Sequence, residues 1–141
     1  MYLHPPDPGL AQRVEAVRRP WGGGFEVLPA MEWKKVVRSF PGSVVHLTMY
    51  GEPIDRALPR LRRTKEVLLV VGGAKVPSEL YQLSHLNVAV GHQPHSEVAA
   101  LAVALERLLG VPGPGAWPGA KKEIIPMRRG KKVIEVGPSG S

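Results

Sequence analysis

Three apolar runs follow one another through the middle of the chain, each closed by glycine-bearing polar residues. Val44-Val-His-Leu-Thr-Met49 is β-branched, apolar and of strand length, and Tyr50-Gly51-Glu52-Pro53 closes it. Val67 to Val71 is an unbroken apolar run with Gly72 and Gly73 straight after it. Such a run suits a strand buried on both faces of a parallel sheet. Asn87 to Val90 is the third, followed by Gly91-His-Gln-Pro-His-Ser-Glu97. Helical patterns lie between and after them. Ile54 to Arg63 places Ile54, Leu58 and Leu61 on one face. Pro77 to Leu83 is a short helix with Pro77 suited to its first turn. Ser96 is a candidate N-cap for a helix over Val98 to Leu109, and Glu97 complements its dipole. Val98, Leu101, Ala102, Leu105 and Leu108 form its expected inward stripe, and Gly110 takes the C′ position. Strands alternating with helices predict an α/β fold with a mostly parallel sheet.

The flanks are less regular. Residues 1–9 hold three prolines and are expected to lack regular structure. Leu10 to Arg19 predicts a short helix, broken by Pro20-Trp-Gly-Gly-Gly24, and Phe25 to Leu28 a strand. Glu32 to Phe40 reads as an amphipathic helix with Trp33, Val36 and Val37 inward. Gly110 to Gly119 is a glycine- and proline-rich linker. Lys121 to Val136 predicts two short strands around Arg128-Arg129-Gly130, a basic C-terminal β-hairpin, and Gly137 to Ser141 a disordered tail. Residues 1–115 are expected to form the α/β domain, with residues 116–141 a hairpin and tail of the same domain.

Composition narrows the function classes. The 141 residues suffice for one domain with a real core. The absence of cysteine excludes disulfides, thiolate catalysis and Cys-based zinc sites. The N-terminus shows no signal peptide, and no apolar stretch reaches membrane-spanning length, so a cytoplasmic protein without a membrane partner is expected. The net charge of +7 favours polyanionic partners. Arg60, Arg62, Arg63 and Lys65 form one basic cluster; Lys121, Lys122, Arg128, Arg129, Lys131 and Lys132 form another. Charge runs are ordinarily a solvated face, but two clusters in a basic chain strengthen the case for phosphate contact.

In an open parallel sheet, the loops at the C-terminal strand ends gather on one edge. Here they are Thr48 to Gly51, Gly72 to Val76 and Gly91 to Glu97. One glycine-rich loop is ordinary turn chemistry; three on one edge point to a ligand site. Gly72-Gly73 is neither a dinucleotide fingerprint nor a phosphate-binding P-loop. His46, His85, His92 and His95 lack metal-motif spacing, so loop hydrogen bonding is their expected role and no metal site is assigned. Trp21, Trp33 and Trp117 are expected in the core or an interface.

Val44 to Gly51, Val70 to Pro77 and Asn87 to Leu101 together resemble the archaeal tRNA (cytidine-56) 2′-O-ribose methyltransferases, members of the SPOUT superfamily. The likeness runs from about Trp21 to Val133, and the third motif is long and distinctive. The resemblance implies a C-terminal trefoil knot, a homodimer, a tRNA partner and S-adenosyl-L-methionine bound in the knotted loops. Carried over by motif, the cofactor pocket comprises Leu47; Gly72, Gly73, Ala74, Lys75 and Val76; then Val90, Gly91, His92, Gln93, Pro94, His95, Ser96 and Glu97. RNA contact falls to Arg60, Arg62, Arg63 and the six basic residues of the hairpin. The implied reaction is an in-line methyl transfer to a ribose 2′-hydroxyl, in which the protein positions the partners and helps remove a proton. Family members carry a further upstream segment, with a first strand and an arginine-bearing motif, that this chain is expected to lack. Ala74 stands where the family usually has glutamate, and His92 where asparagine is common. No catalytic base is assigned; His95 and Glu97 are the nearby titratable candidates. The competing readings are a non-catalytic RNA-binding or assembly module of the same fold and, further off, a histidine-metal hydrolase.

Overall fold

The computed structural model describes residues 1–73 and 75–137. Two compact units divide the chain: residues 34–111, and residues 1–33 with 112–141.

The first unit carries the parallel sheet. Its elements are β3 (Ser43–Pro53), α3 (Ile54–Leu61), β4 (Val67–Val71), α4 (Ser78–Leu83), β5 (Leu86–Ala89) and α5 (Glu97–Leu109), preceded by most of α2 (Trp33–Ser39). The strand order is β4-β3-β5, and both pairings are parallel. β3 is therefore central, which explains why Val44, Val45, His46 and Leu47 are buried. The unbroken apolar run Val67 to Val71 was expected to be covered on both faces. It lies instead at the sheet's edge, and all five residues are half-buried. Alternation sends Val45 and Leu47 to one face, where Ile54, Ala57, Leu58 and Leu61 of α3 and Ala104 of α5 cover them. Each large aliphatic side chain so buried contributes about 1.5–3 kcal/mol. His46 points to the opposite face, against Tyr81 of α4. At the start of β5, the His85 ring extends the ladder: its Nδ1 accepts from the Val44 amide at 2.9 Å, and its own amide donates to the Val44 carbonyl at 2.9 Å.

α5 is rotated from its expected register. Ala100 and Ala104 are buried and Leu101 and Leu108 half-buried, whereas Val98 is 80% exposed and Ala102 and Leu105 also face outward. Small alanines against the sheet let the helix sit close, which turns the bulkier residues outward. Its caps match the sequence: Ser96 Oγ accepts from the Ala99 amide at 3.1 Å, and Gly110 ends the helix at φ +75°.

The second unit contains β1 (Tyr2–Leu3), α1 (Pro8–Trp21), β2 (Leu28–Pro29), β6 (Lys122–Ile124) and β7 (Val133–Glu135). Residues 1–9 are more ordered than their prolines suggest. Tyr2 and Leu3 precede the first proline and pair in parallel with Leu28 and Pro29. Asp7 caps α1, its Oδ1 accepting from the Leu10 amide at 2.9 Å, and Pro8 takes the first turn where no amide is needed. Pro20 does not break α1, because it falls in the last turn; Gly22, its amide bonded to the Arg18 carbonyl at 2.7 Å, closes the helix. The expected strand at Phe25 to Leu28 is the short β2 beyond it. β6 and β7 pair antiparallel, Glu123 opposite Ile134. Trp117 is exposed, not core. Arg13, Val14, Val17, Arg18, Trp21, Gly22 and Phe25 line a cleft of about 430 Å³, and none of them belongs to the three strand-end loops. The tail expected beyond Gly137 lies outside the described residues.

Candidate functional site: three loops on one sheet edge

Register brings the loops together. Leu47 pairs with Val71 on one side and Val88 on the other, so the three strands reach the same level before their loops leave. Leu47 is buried there, a floor residue at the mouth of all three.

The first loop does more than turn. After Leu47 the chain leaves the ladder for four residues, and Glu52 and Pro53 then pair with Val88 and Ala89. Val88 is thus a partner of both Leu47 and Glu52. The passage is tight at Gly51, where an added methyl would collide with the Asn87 carbonyl and the Val88 amide. Only glycine lets the backbones approach so closely. The third loop then leans on this segment: His92 Nε2 donates to the Gly51 carbonyl at 3.1 Å. Two of the three loops are therefore in direct contact.

The second loop is shaped from within, since a methyl on Gly72 would strike the Val76 side chain. Gly73 is open: nothing lies within 4 Å of an added methyl. Gly91 is similarly free, with His95 Cδ2 at 3.8 Å the nearest atom. His92, Gln93, Pro94, His95, Ser96 and Glu97 are exposed, as is Lys75, while Val76, Val90 and Gly91 are half-buried. Ala74 lies outside the described residues. The arrangement is a buried apolar floor with a polar, glycine-bearing rim, suited to a ligand held largely by backbone groups.

Sequence reasoning missed a polar group beneath the floor. His46 is 1% exposed, yet its Nδ1 lies 3.0 Å from Asn87 Oδ1 and its ring meets Tyr81 edge-on at 4.7 Å. Burial holds its pKa below the usual histidine value, and the Asn87 hydrogen bond draws it partly back. Asn87 Nδ2 donates to the Tyr81 carbonyl at 3.0 Å, and the Tyr81 hydroxyl shares a hydrogen bond with Thr48 Oγ1 at 3.2 Å. A histidine inside an otherwise aliphatic strand was the available signal for such a network. The remaining histidines follow the hydrogen-bonding expectation at His85 and His92. Among the described residues, no group of three or more His, Asp or Glu side chains could hold a metal ion.

The basic clusters differ in how they are used. Arg60 is ion-paired with Glu52, Arg62 donates to the Arg107 carbonyl at 3.1 Å, and Arg63 donates to the Pro59 carbonyl at 3.0 Å. Lys121, Lys122, Arg128, Arg129, Lys131 and Lys132 are exposed, and the ion pairs among the described residues include none of them.

Comparison with known proteins places this edge in context. A family model described as tRNA ribose 2′-O-methyltransferase matches residues 21–134, which include all three loops, β6 and the first two residues of β7. The chain belongs to that family. Relatives named tRNA (cytidine(56)-2′-O)-methyltransferase include one from Archaeoglobus fulgidus, 46% identical over 95% of this chain and 79% of its own length. Another, from Cenarchaeum symbiosum, is 45% identical over 98% of this chain and 81% of its own. A third, from Thermococcus kodakarensis, is 49% identical over 92% and 76% respectively. Among the described residues no helix is long and apolar enough to cross a membrane.

Proposed function

We propose that this chain methylates the ribose 2′-oxygen of cytidine 56 in tRNA, with S-adenosyl-L-methionine held by the three loops. The observation that carries the reading is the convergence of the loops around Leu47, with His92 bonded across to Gly51. The residues fit such a group. Gly73 and Gly91 leave backbone accessible where side chains would fill the space, and the rim from His92 to Glu97 is polar and exposed. Leu47, Gly72 to Val76 and Val90 to Glu97 hold the cofactor in this reading. When bound, S-adenosylmethionine supplies an electrophilic methyl on a cationic sulfur that departs as a neutral thioether.

The chain's own task is placement. The loops align the methyl with the attacking 2′-oxygen and exclude competing water. His95 and Glu97, both exposed on the third loop, are titratable groups of that rim able to accept the hydroxyl proton. The six exposed basic side chains of the tail contact tRNA phosphates, with Arg60, Arg62 and Arg63 secondary. Two further parts of the reading have structural support. The double pairing of Val88 and the close passage at Gly51 suit a threaded backbone of the trefoil-knot type. Val98, Leu105 and Leu109, exposed along one side of α5, suit a homodimer contact.

The test is transfer of labelled methyl from S-adenosylmethionine to an unmodified tRNA transcript, with the product nucleoside mapped. Label at the cytidine 56 ribose is the expected result. Tight tRNA binding without donor binding or transfer would overturn it in favour of a non-catalytic RNA-binding module.

A further inference from the structure

We infer that Thr48, Tyr81, Asn87 and His46 are positioning residues that hold the three donor loops in register, an inference that rests on the donor-pocket reading above. The network includes a residue of the first loop and residues of the elements that adjoin the other two. Thr48 is the first residue of the first loop. Tyr81 lies in α4, the helix into which the second loop runs, and Asn87 lies in β5, directly ahead of the third.

The bonds fix one arrangement. Asn87 Nδ2 donates to the Tyr81 carbonyl at 3.0 Å, which turns Asn87 Oδ1 towards His46, 3.0 Å away. That oxygen can only accept, so His46 Nδ1 carries the proton. The histidine ring in turn fixes the Tyr81 ring, edge-on at an interplanar angle of 79°. The Tyr81 hydroxyl then meets Thr48 Oγ1 at 3.2 Å, and the same oxygen accepts from the Tyr50 amide at 3.3 Å. Tyr50 immediately precedes Gly51, whose carbonyl holds His92 of the third loop. The chain of contacts therefore begins under the central strand and ends in the rim.

Stability alone does not call for this chemistry. An aliphatic residue at position 46 would be buried on that face of the sheet with no hydrogen-bonding requirement, whereas a buried imidazole must be compensated by hydrogen bonds. What a satisfied polar network adds is direction, since it permits one arrangement and penalises the others. The outcome is a first loop set in height and angle relative to the other two.

Isothermal titration of S-adenosylmethionine into the full chain, with thermal unfolding of each variant in parallel, tests this. Thr48→Val keeps the shape and loses the hydroxyl; Thr48→Ser keeps the hydroxyl. At a temperature where all variants are folded, Thr48→Val should weaken donor binding about fivefold and Tyr81→Phe about threefold, with Thr48→Ser within about twofold of wild type. A lowered melting temperature in Thr48→Val with unchanged donor affinity would reduce the network to scaffolding and overturn the inference. Equal losses in the valine and serine variants would do the same. A wild-type chain that binds no donor sinks the pocket reading itself, and the network's role falls with it.

Discussion

Gly51 and Gly91 flank the same sheet edge, but their surroundings are opposite. At Gly51 the backbone presses on Asn87 and Val88, leaving no room for a methyl; at Gly91 the nearest atom to an added methyl is a flexible imidazole carbon 3.8 Å off. The same contrast holds more widely. Leu47 and Val88 form a buried floor with His46 beneath it, whereas His92 to Glu97 form an exposed rim. It recurs in the basic clusters, where Arg60, Arg62 and Arg63 are engaged by the protein itself and the tail cations enter no ion pair among the described residues. One part of this chain is committed to holding the fold, the other is open to solvent. Glycine content or charge alone does not tell them apart.

The largest expected effect separates the two glycines. Gly51→Ala should cost roughly 3 kcal/mol of stability, a fall of about 10 °C in melting temperature, because backbone cannot yield as a side chain can. Gly91→Val should unfold close to the wild-type temperature but bind S-adenosylmethionine about 100-fold more weakly, the side chain occupying donor space. Calorimetry and titration on both variants check this, and exchanged outcomes would erase the distinction between floor and rim.

A smaller effect distinguishes the cation clusters. Arg128→Ala with Arg129→Ala should lower the slope of log affinity for tRNA against log salt by roughly 1.5–2, because each phosphate contact releases about one counterion. Arg60→Ala with Arg62→Ala should shift it far less, as those guanidinium groups already have partners. Filter binding over a salt series measures both slopes, and equal changes would show that internal pairing does not decide availability.

The smallest effect concerns the floor's histidine. With the folded pKa of His46 held below the ordinary 6.5 by burial, the unfolded chain takes up this proton first as pH falls. His46 therefore contributes stability that is fully present above about pH 6.5 and is lost as the pH falls below it. Urea midpoints between pH 5 and 7 should decline less steeply in His46→Asn than in wild type. A parallel decline would remove His46 as the titrating group.

Much of this organisation was readable from residues. The β-branched run at Val44, the unbroken run at Val67 and the short run at Asn87 gave the three strands, and Ser96 and Gly110 gave both ends of α5. The loops were legible because each follows an apolar run directly. What escaped were properties set by neighbours. Val67 to Val71 reads as interior because it is continuous, but strand order decides which strand is central, and order is not local. The α5 stripe was misassigned because Val98 and Leu105 are more apolar than Ala100 and Ala104, while packing against the sheet selected the smaller pair. The extension of β3 to Pro53 depends on Val88, far along the chain, and no pattern within Tyr50-Gly-Glu-Pro53 announces it.

The hold on Val88 from two stretches of one upstream segment also orders assembly in time. Residues 43–53 leave the ribosome before the strand they embrace exists, so they must wait, unpaired along that edge, until residue 89 has emerged. Contacts spanning so much sequence are slow to form, and the nascent α/β unit is correspondingly exposed to wrong partners until β5 arrives.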